Sequence, residues 1–153
     1  MDVFSRSFLP TAGESGLPAA VATRHLPVLR QCVEGDDAAV LVTRCRRPSR
    51  PMGGEYLLLL TTRRLVITHE SVILRRMSLH LNANLWHLSN VTWTADQDRA
   101  GFVVAATAVD EVRERFWMNL GGGERVQHVE SLFQRVFAGL SAARLRTLEA
   151  VNA

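Results

Sequence analysis

The stretch Gly54-Glu-Tyr-Leu-Leu-Leu-Leu-Thr-Thr-Arg-Arg-Leu-Val-Ile-Thr68 sets the fold class. Two apolar runs, Tyr56–Thr61 and Arg64–His69, flank the polar pair Thr62 and Arg63, the spacing of a compact β-hairpin. Strand patterns extend from it in both directions. Upstream, Ala38–Arg44 is an apolar run with β-branched residues, joined to the hairpin by the turn-like segment Arg47–Gly54, which holds two Pro and two Gly. Downstream, Ser71–Leu81 is predicted as a strand, with Ile73, Met77, Leu79 and Leu81 on one face and Arg75 as the odd member. Arg76, Ser78 and His80 take its other face, and Asn82 and Asn84 break the pattern. Val91, Trp93 and Ala95 alternate in a further strand, and the turn Asp96–Arg99 leads into Phe102–Ala108. The strand Val112–Leu120 places Phe116, Met118 and Leu120 inward, and Arg113, Arg115 and Trp117 outward.

After Gly121–Gly123 the apolar period changes from two to 3.6. Val126, Val129, Phe133, Val136, Phe137 and Leu140 form one stripe, with Glu130, Gln134 and Arg135 off it, which predicts a long helix over about 124–149. A second helix is expected over about 18–34, with Pro27 as an early helical residue, Gly35 as its stop, and Leu26, Leu29 and Val33 on one face. Residues 1–17 read as a flexible or loosely docked arm that Phe4 and Phe8 could pin to a neighbouring surface. The domain expected is one unit over 18–153 behind that arm.

Composition narrows the function classes. The chain has 153 residues and a formal charge of +3, too mild to announce a nucleic-acid binder. All 18 basic residues are Arg; the absence of Lys resembles the composition bias of a GC-rich bacterial genome. Two cysteines, Cys32 and Cys45, make neither a disulfide scaffold nor a four-thiolate zinc site and read as reduced thiols. No apolar run approaches a membrane span and no secretory leader is visible, so a cytoplasmic location is expected.

The 54–68 stretch resembles bacterial pleckstrin-homology-like and GRAM-type domains, in which an acidic residue precedes an apolar strand ending in a Thr-x-Arg-Arg-Leu type of hairpin, here Thr61 to Leu65. The resemblance extends through His87-Leu-Ser-Asn-Val91 into the closing helix and covers roughly residues 36–140. It implies an α+β, mainly β fold: a seven-strand, partly open barrel capped by the long C-terminal helix, with the N-terminal helix as an addition. Phosphoinositide binding does not carry over, because the second strand reads Glu55-Tyr56-Leu57 where the phosphoinositide-binding members place an Arg.

Arginines are the strongest chemical feature. Arg44, Arg46, Arg47 and Arg50 surround the first turn, and Arg63, Arg64, Arg75 and Arg76 follow in the next hairpins. Residues 35–80 hold eight Arg against four acidic residues, a local excess of +4. Guanidinium groups grip phosphate or carboxylate bidentately, so Arg44, Arg46, Arg47, Arg50, Arg63 and Arg64 are candidate ligand or membrane contacts. The alternative is that they solvate strand faces and pair with acidic residues of 96–114. Trp117, flanked by Arg113 and Arg115, is a candidate partner surface; lying under the N-terminal helix or arm is its alternative. Trp86 and Trp93 are expected in the core.

His25, His69, His80, His87 and His128 lack metal-ligand spacing, and Gly121–Gly123 lacks the Lys-Ser/Thr of a phosphate loop. No catalytic constellation emerges, so neither an enzyme nor a cofactor is expected. The chain reads as a non-catalytic binding or adaptor module that recognises a protein partner or self-associates. The alternative is peripheral binding to an anionic membrane through the Arg44–Arg50 loop, with nucleic acid ranked lower.

Overall fold

A computed structural model describes residues 2–48 and 54–152, with side chains to residue 140. The fold is α+β and mainly β. Helices α1 (Val3–Glu14) and α2 (Ala19–Cys32) precede strands β1 (Ala39–Cys45), β2 (Glu55–Thr61), β3 (Arg64–Glu70) and β4 (Met77–Asn84). Strands β5 (Ser89–Asp96), β6 (Gly101–Thr107) and β7 (Arg113–Asn119) follow a one-turn 3-10 helix at Leu85–His87, and helix α3 (Gly123–Asn152) closes the chain. The strands form two antiparallel meanders, β1-β2-β3-β4 and β5-β6-β7. The expected partly open barrel resolves only into these two sheets, which do not close on one another. Among the described residues the two sheets exchange backbone hydrogen bonds at the Arg46–Trp117 bridge, where each N–H donates to the other's carbonyl at 2.8 Å.

The four-stranded sheet is covered on both faces, which is why β2 reads as an unbroken apolar run. Leu58 and Leu60 point into a core shared with Phe102, Val104, Phe116 and Met118 of the second sheet and with Val129 and Phe133 of α3. Leu57 and Leu59 point the other way, into a second core with Phe4, Phe8, Val21 and Leu29 of the N-terminal helices. The hairpin turn is held by Thr61, whose hydroxyl accepts from the backbone N–H of Arg63 (3.1 Å) and Arg64 (2.8 Å).

Several expectations change. The arm over 1–17 is helix α1, capped by Asp2, whose carboxylate accepts from the Ser5 N–H at 2.8 Å, with Phe4 and Phe8 fully buried. Its buried apolar side chains Phe4, Phe8 and Ala12 recur every fourth residue, so they line one face of a helix despite Pro10. Pro27 lies well inside α2 rather than at its start, so the helix forgoes the bond that residue 27 would donate to Thr23.

The strand expected over 71–81 starts later, at Met77. Residues 71–76 form a turn, and the register slips between the pairs Thr68–Leu79 and Ile67–Leu81, so His80 is the extra residue of a bulge. The bulge reverses the alternation: Leu81 and Ala83 reach the inter-sheet core, whereas Leu79 is left exposed and Ile73 is 91% exposed. Strand β4 also continues through Asn82 to Asn84 instead of breaking there.

Trp86, expected in the core, is exposed; Asn84 accepts from its backbone N–H at 3.0 Å, and the short helix turns Leu85 inward in its place. Trp93 is partly buried against Phe133 and Phe137, with ring centroids 5.9 and 5.7 Å away. The apolar stripe of α3 sits as expected: Val126, Val129 and Phe133 are fully buried, and Val136, Phe137 and Leu140 partly so. Helix α2 docks on the outer face of the four-stranded sheet through Val21, Ala22, His25 and Leu29, which supplies its apolar partner. No described helix is long and apolar enough to cross a membrane.

Candidate functional site

Strand β1 delivers Arg46 and Arg47 to the edge of the second sheet. The Arg46–Trp117 bridge brings the first Arg turn and the outward Trp, two separate features of the sequence, into one place. A groove of about 450 Å³ opens there, lined by Arg46, Arg47, Pro48, Arg99, Arg115 and Trp117, with Asp96 and Val103 completing it. Four guanidinium groups face one carboxylate. The Trp117 ring lies flat over Gly101, where a Cβ would collide with it, so a strand glycine seats the aromatic floor. Among the described residues no helix packs on this outer face of β5-β6-β7; α3 packs on the inner side through Val129 and Phe133.

The candidate arginines separate by their partners. Arg47 is drawn inward: its guanidinium lies 3.3 Å from Glu114, which also meets His80 at 2.7 Å. The His80 ring in turn packs edge to face against Tyr56 and Phe116. Arg44 is 3.9 Å from Glu55 on the helix side of the first sheet. Arg63 and Arg64 lie at the far end, in the β2–β3 turn. There Arg63 makes a bidentate pair with Asp36 at 2.8 and 3.1 Å, and Arg64 donates to Asn82 at 3.2 Å. The paired carboxyl of Asp36 is held below the usual range by Arg63. Arg113 clips the edges of the second sheet, donating to the Asn90 carbonyl (2.8 Å) and to the hydroxyls of Thr107 (3.2 Å) and Thr92 (3.1 Å). These five are tied to partners within the fold, which leaves Arg46 and Arg115 beside Trp117. Arg50 lies outside the described residues. Arg99 was missed because the turn Asp96–Arg99 carried no pattern of its own; the glycine after it, opposite an outward Trp, was the available signal.

A hydroxyl, an imidazole and a carboxylate also meet under α2. His25 Nδ1 lies 2.7 Å from Thr68 Oγ1, His25 Nε2 lies 3.8 Å from Glu70, and Arg24 donates to Glu70 at 3.2 Å. The set resembles a nucleophile–base–acid arrangement, yet Thr68 is 0% exposed and no substrate atom can reach its oxygen. It works as a polar clip between α2 and β3. Burial holds the His25 imidazole below its ordinary range, with Arg24 acting in the same direction and Glu70 opposing.

The sign follows from that depression. Folded His25 stays neutral while unfolded His25 takes up a proton below about pH 6.5, so stability is full above that value and falls as pH drops beneath it. Denaturant melts between pH 7 and pH 5 should show this loss, and His25→Gln should flatten it; equal slopes for the two proteins would sink the assignment.

Both thiols are poor nucleophiles: burial pushes Cys45 and Cys32 up from the ordinary thiol range. Among the described residues no three His, Cys, Asp or Glu side chains gather closely enough to hold a metal ion. In comparison with known proteins, no family model matches this chain and no curated protein is a significant match.

Proposed function

We propose that the chain is a non-catalytic binding module that recognises a protein partner through the groove around Trp117. The observation that carries this is the ring seated on Gly101 with Arg46, Arg47, Arg99 and Arg115 around it on an uncovered sheet face. Aromatic floors with guanidinium rims suit acidic peptide segments, because the ring supplies desolvated area and the Arg groups pair bidentately with carboxylates. The pleckstrin-homology-like reading belongs to this proposal. It rests on the resemblance carried by the 54–68 hairpin.

An acidic decapeptide titrated against the protein tests the reading through intrinsic Trp emission. Binding should weaken about tenfold for each 1.4 kcal/mol lost, and the pair Arg99→Glu plus Arg115→Glu should lower affinity at least that much by turning attraction into repulsion. Unchanged affinity in the double variant rejects the groove. A second reading, peripheral contact with an anionic membrane through the Arg44–Arg50 loop, is favoured by Arg46, which has no ion-pair partner among the described residues.

A further inference from the structure

The loop over residues 71–76 belongs to neither core. Ser71 and Arg76 close its neck: the Ser71 N–H donates to the Arg76 carbonyl and the Arg76 N–H to the Ser71 hydroxyl, each at 3.0 Å. Beyond that neck, Val72, Ile73 and Leu74 are 71%, 91% and 68% exposed, three consecutive aliphatic side chains turned to solvent. Arg75 follows in the left-handed region at φ 47°, a conformation that costs a non-glycine residue energy and is retained here at the base of the tip. Isolated exposed apolar side chains are ordinary on protein surfaces; three in a row on a closed turn are not.

The register fixes which features share this end. Cys45 pairs with Tyr56, Tyr56 with His69, and Glu70 with Met77, so the β1–β2 and β3–β4 connections leave the same end of the first sheet. They also touch: Gly54, at φ 97°, packs so closely on the Glu70 carbonyl that a Cβ would lie 2.7 Å from it. The apolar tip therefore projects beside Arg75 and Arg76 and from the end that carries Arg44, Arg46 and Arg47. The acidic residues there are already engaged, Glu55 near Arg44 and Glu70 with Arg24. Among the described residues Arg46, Arg75 and Arg76 have no ion-pair partner.

We infer that the Val72-Ile73-Leu74 tip inserts into the interfacial layer of an anionic lipid bilayer while Arg75, Arg76 and Arg46 engage its headgroups. The inference rests on the membrane reading above and adds the element that penetrates. Charge complementarity selects the occupant: aliphatic side chains at a tip and unpaired guanidiniums at its base match hydrocarbon below and anionic headgroups above. The hydrogen-bonded neck holds the tip in place and so lowers the ordering cost of binding.

Flotation with phosphatidylcholine vesicles, with and without phosphatidylserine, tests it at low and high salt. The full-length protein should float with the anionic vesicles and lose binding as salt rises. The double variant Ile73→Ser plus Leu74→Ser should weaken partitioning roughly tenfold or more at constant salt, since it removes buried apolar area. Both positions are solvent-exposed, so its melting temperature should match the parent's. In Ile73→Trp, emission should shift to the blue with anionic vesicles and stay unchanged with neutral ones. If the tip variant floats like the parent while Arg46→Glu plus Arg47→Glu abolishes flotation, the contact is purely electrostatic: the inserted tip is wrong and the membrane reading stands. If the parent itself fails to float with anionic vesicles, both fall. Loss of self-association in the tip variant, without any change in flotation, assigns the tip to a protein contact and overturns the inference.

Discussion

Replacing Phe133 by alanine should lower the free energy of unfolding by roughly 3–5 kcal/mol, read from urea melts at neutral pH. The ring is 0% exposed and sits where α3 meets both sheets. It lies 5.0 Å from Phe102, 5.9 Å from Trp93 and 6.1 Å from Phe137, centroid to centroid. Truncation removes the transfer contribution of a whole aromatic side chain. It also leaves a hole that rigid strand residues such as Val104 and Met118 cannot close, so the cavity penalty adds to the transfer loss. Gln134, the next residue, is exposed, and Gln134→Ala should change stability by no more than about 0.5 kcal/mol. A loss below about 1 kcal/mol for Phe133→Ala would mean that the α3 stripe does not close the inter-sheet core.

That stripe was legible because a helix repeats its apolar face every three to four residues, and Val126, Val129 and Phe133 obey the rule without interruption. The hairpin was legible for a related reason: Thr62 and Arg63 interrupt two apolar runs at the one place where a turn needs polar residues. What the chain hid was long-range. Leu57–Leu60 reads as a buried strand but does not say which helix covers its second face, since helix α1 is remote in sequence and its apolar content is spread over three side chains. The β4 bulge was hidden too. An alternating pattern reports strand faces only while the register holds, and one extra residue at His80 exchanges them.

The candidate site divides along the same line. Arg46 and Trp117 were each marked, yet their adjacency comes from a single antiparallel bridge between residues 71 apart, which no local pattern encodes. Arg63 and Arg64 looked equivalent to Arg46 in the sequence because a guanidinium carries no label for its partner. Asp36 and Asn82 supply those partners, and both arrive through tertiary packing. Val72, Ile73 and Leu74 were read as strand residues because aliphatic side chains are strand formers wherever they occur.

Phe8→Ala should be nearly as damaging as Phe133→Ala, at about 3–5 kcal/mol, and it bears on the part of the chain whose sequence looked least structured. Phe8 is 0% exposed and Phe4 1%, with ring centroids 5.6 Å apart. Together with Ala12, Val21 and Leu29 they fill the space over Val42, Leu57, Leu59 and Val66. Side chains alone do not hold α1 down. The Phe4 N–H donates to the Gly35 carbonyl at 3.2 Å, and the Ser7 hydroxyl accepts from the Ala39 N–H at 2.9 Å, which ties the helix to the start of β1. Truncating Phe8 therefore opens a cavity inside a fixed frame instead of releasing a loose segment. The two rings share neighbours, so the double variant Phe4→Ala plus Phe8→Ala should cost less than the sum of its parts once the site is already hollow. Ordinary domains are stable by only about 5–15 kcal/mol, so a loss of this size should be plain in a thermal melt. A change within about 0.5 kcal/mol is what an undocked arm would give, and it would return residues 1–17 to the reading that the sequence alone suggested.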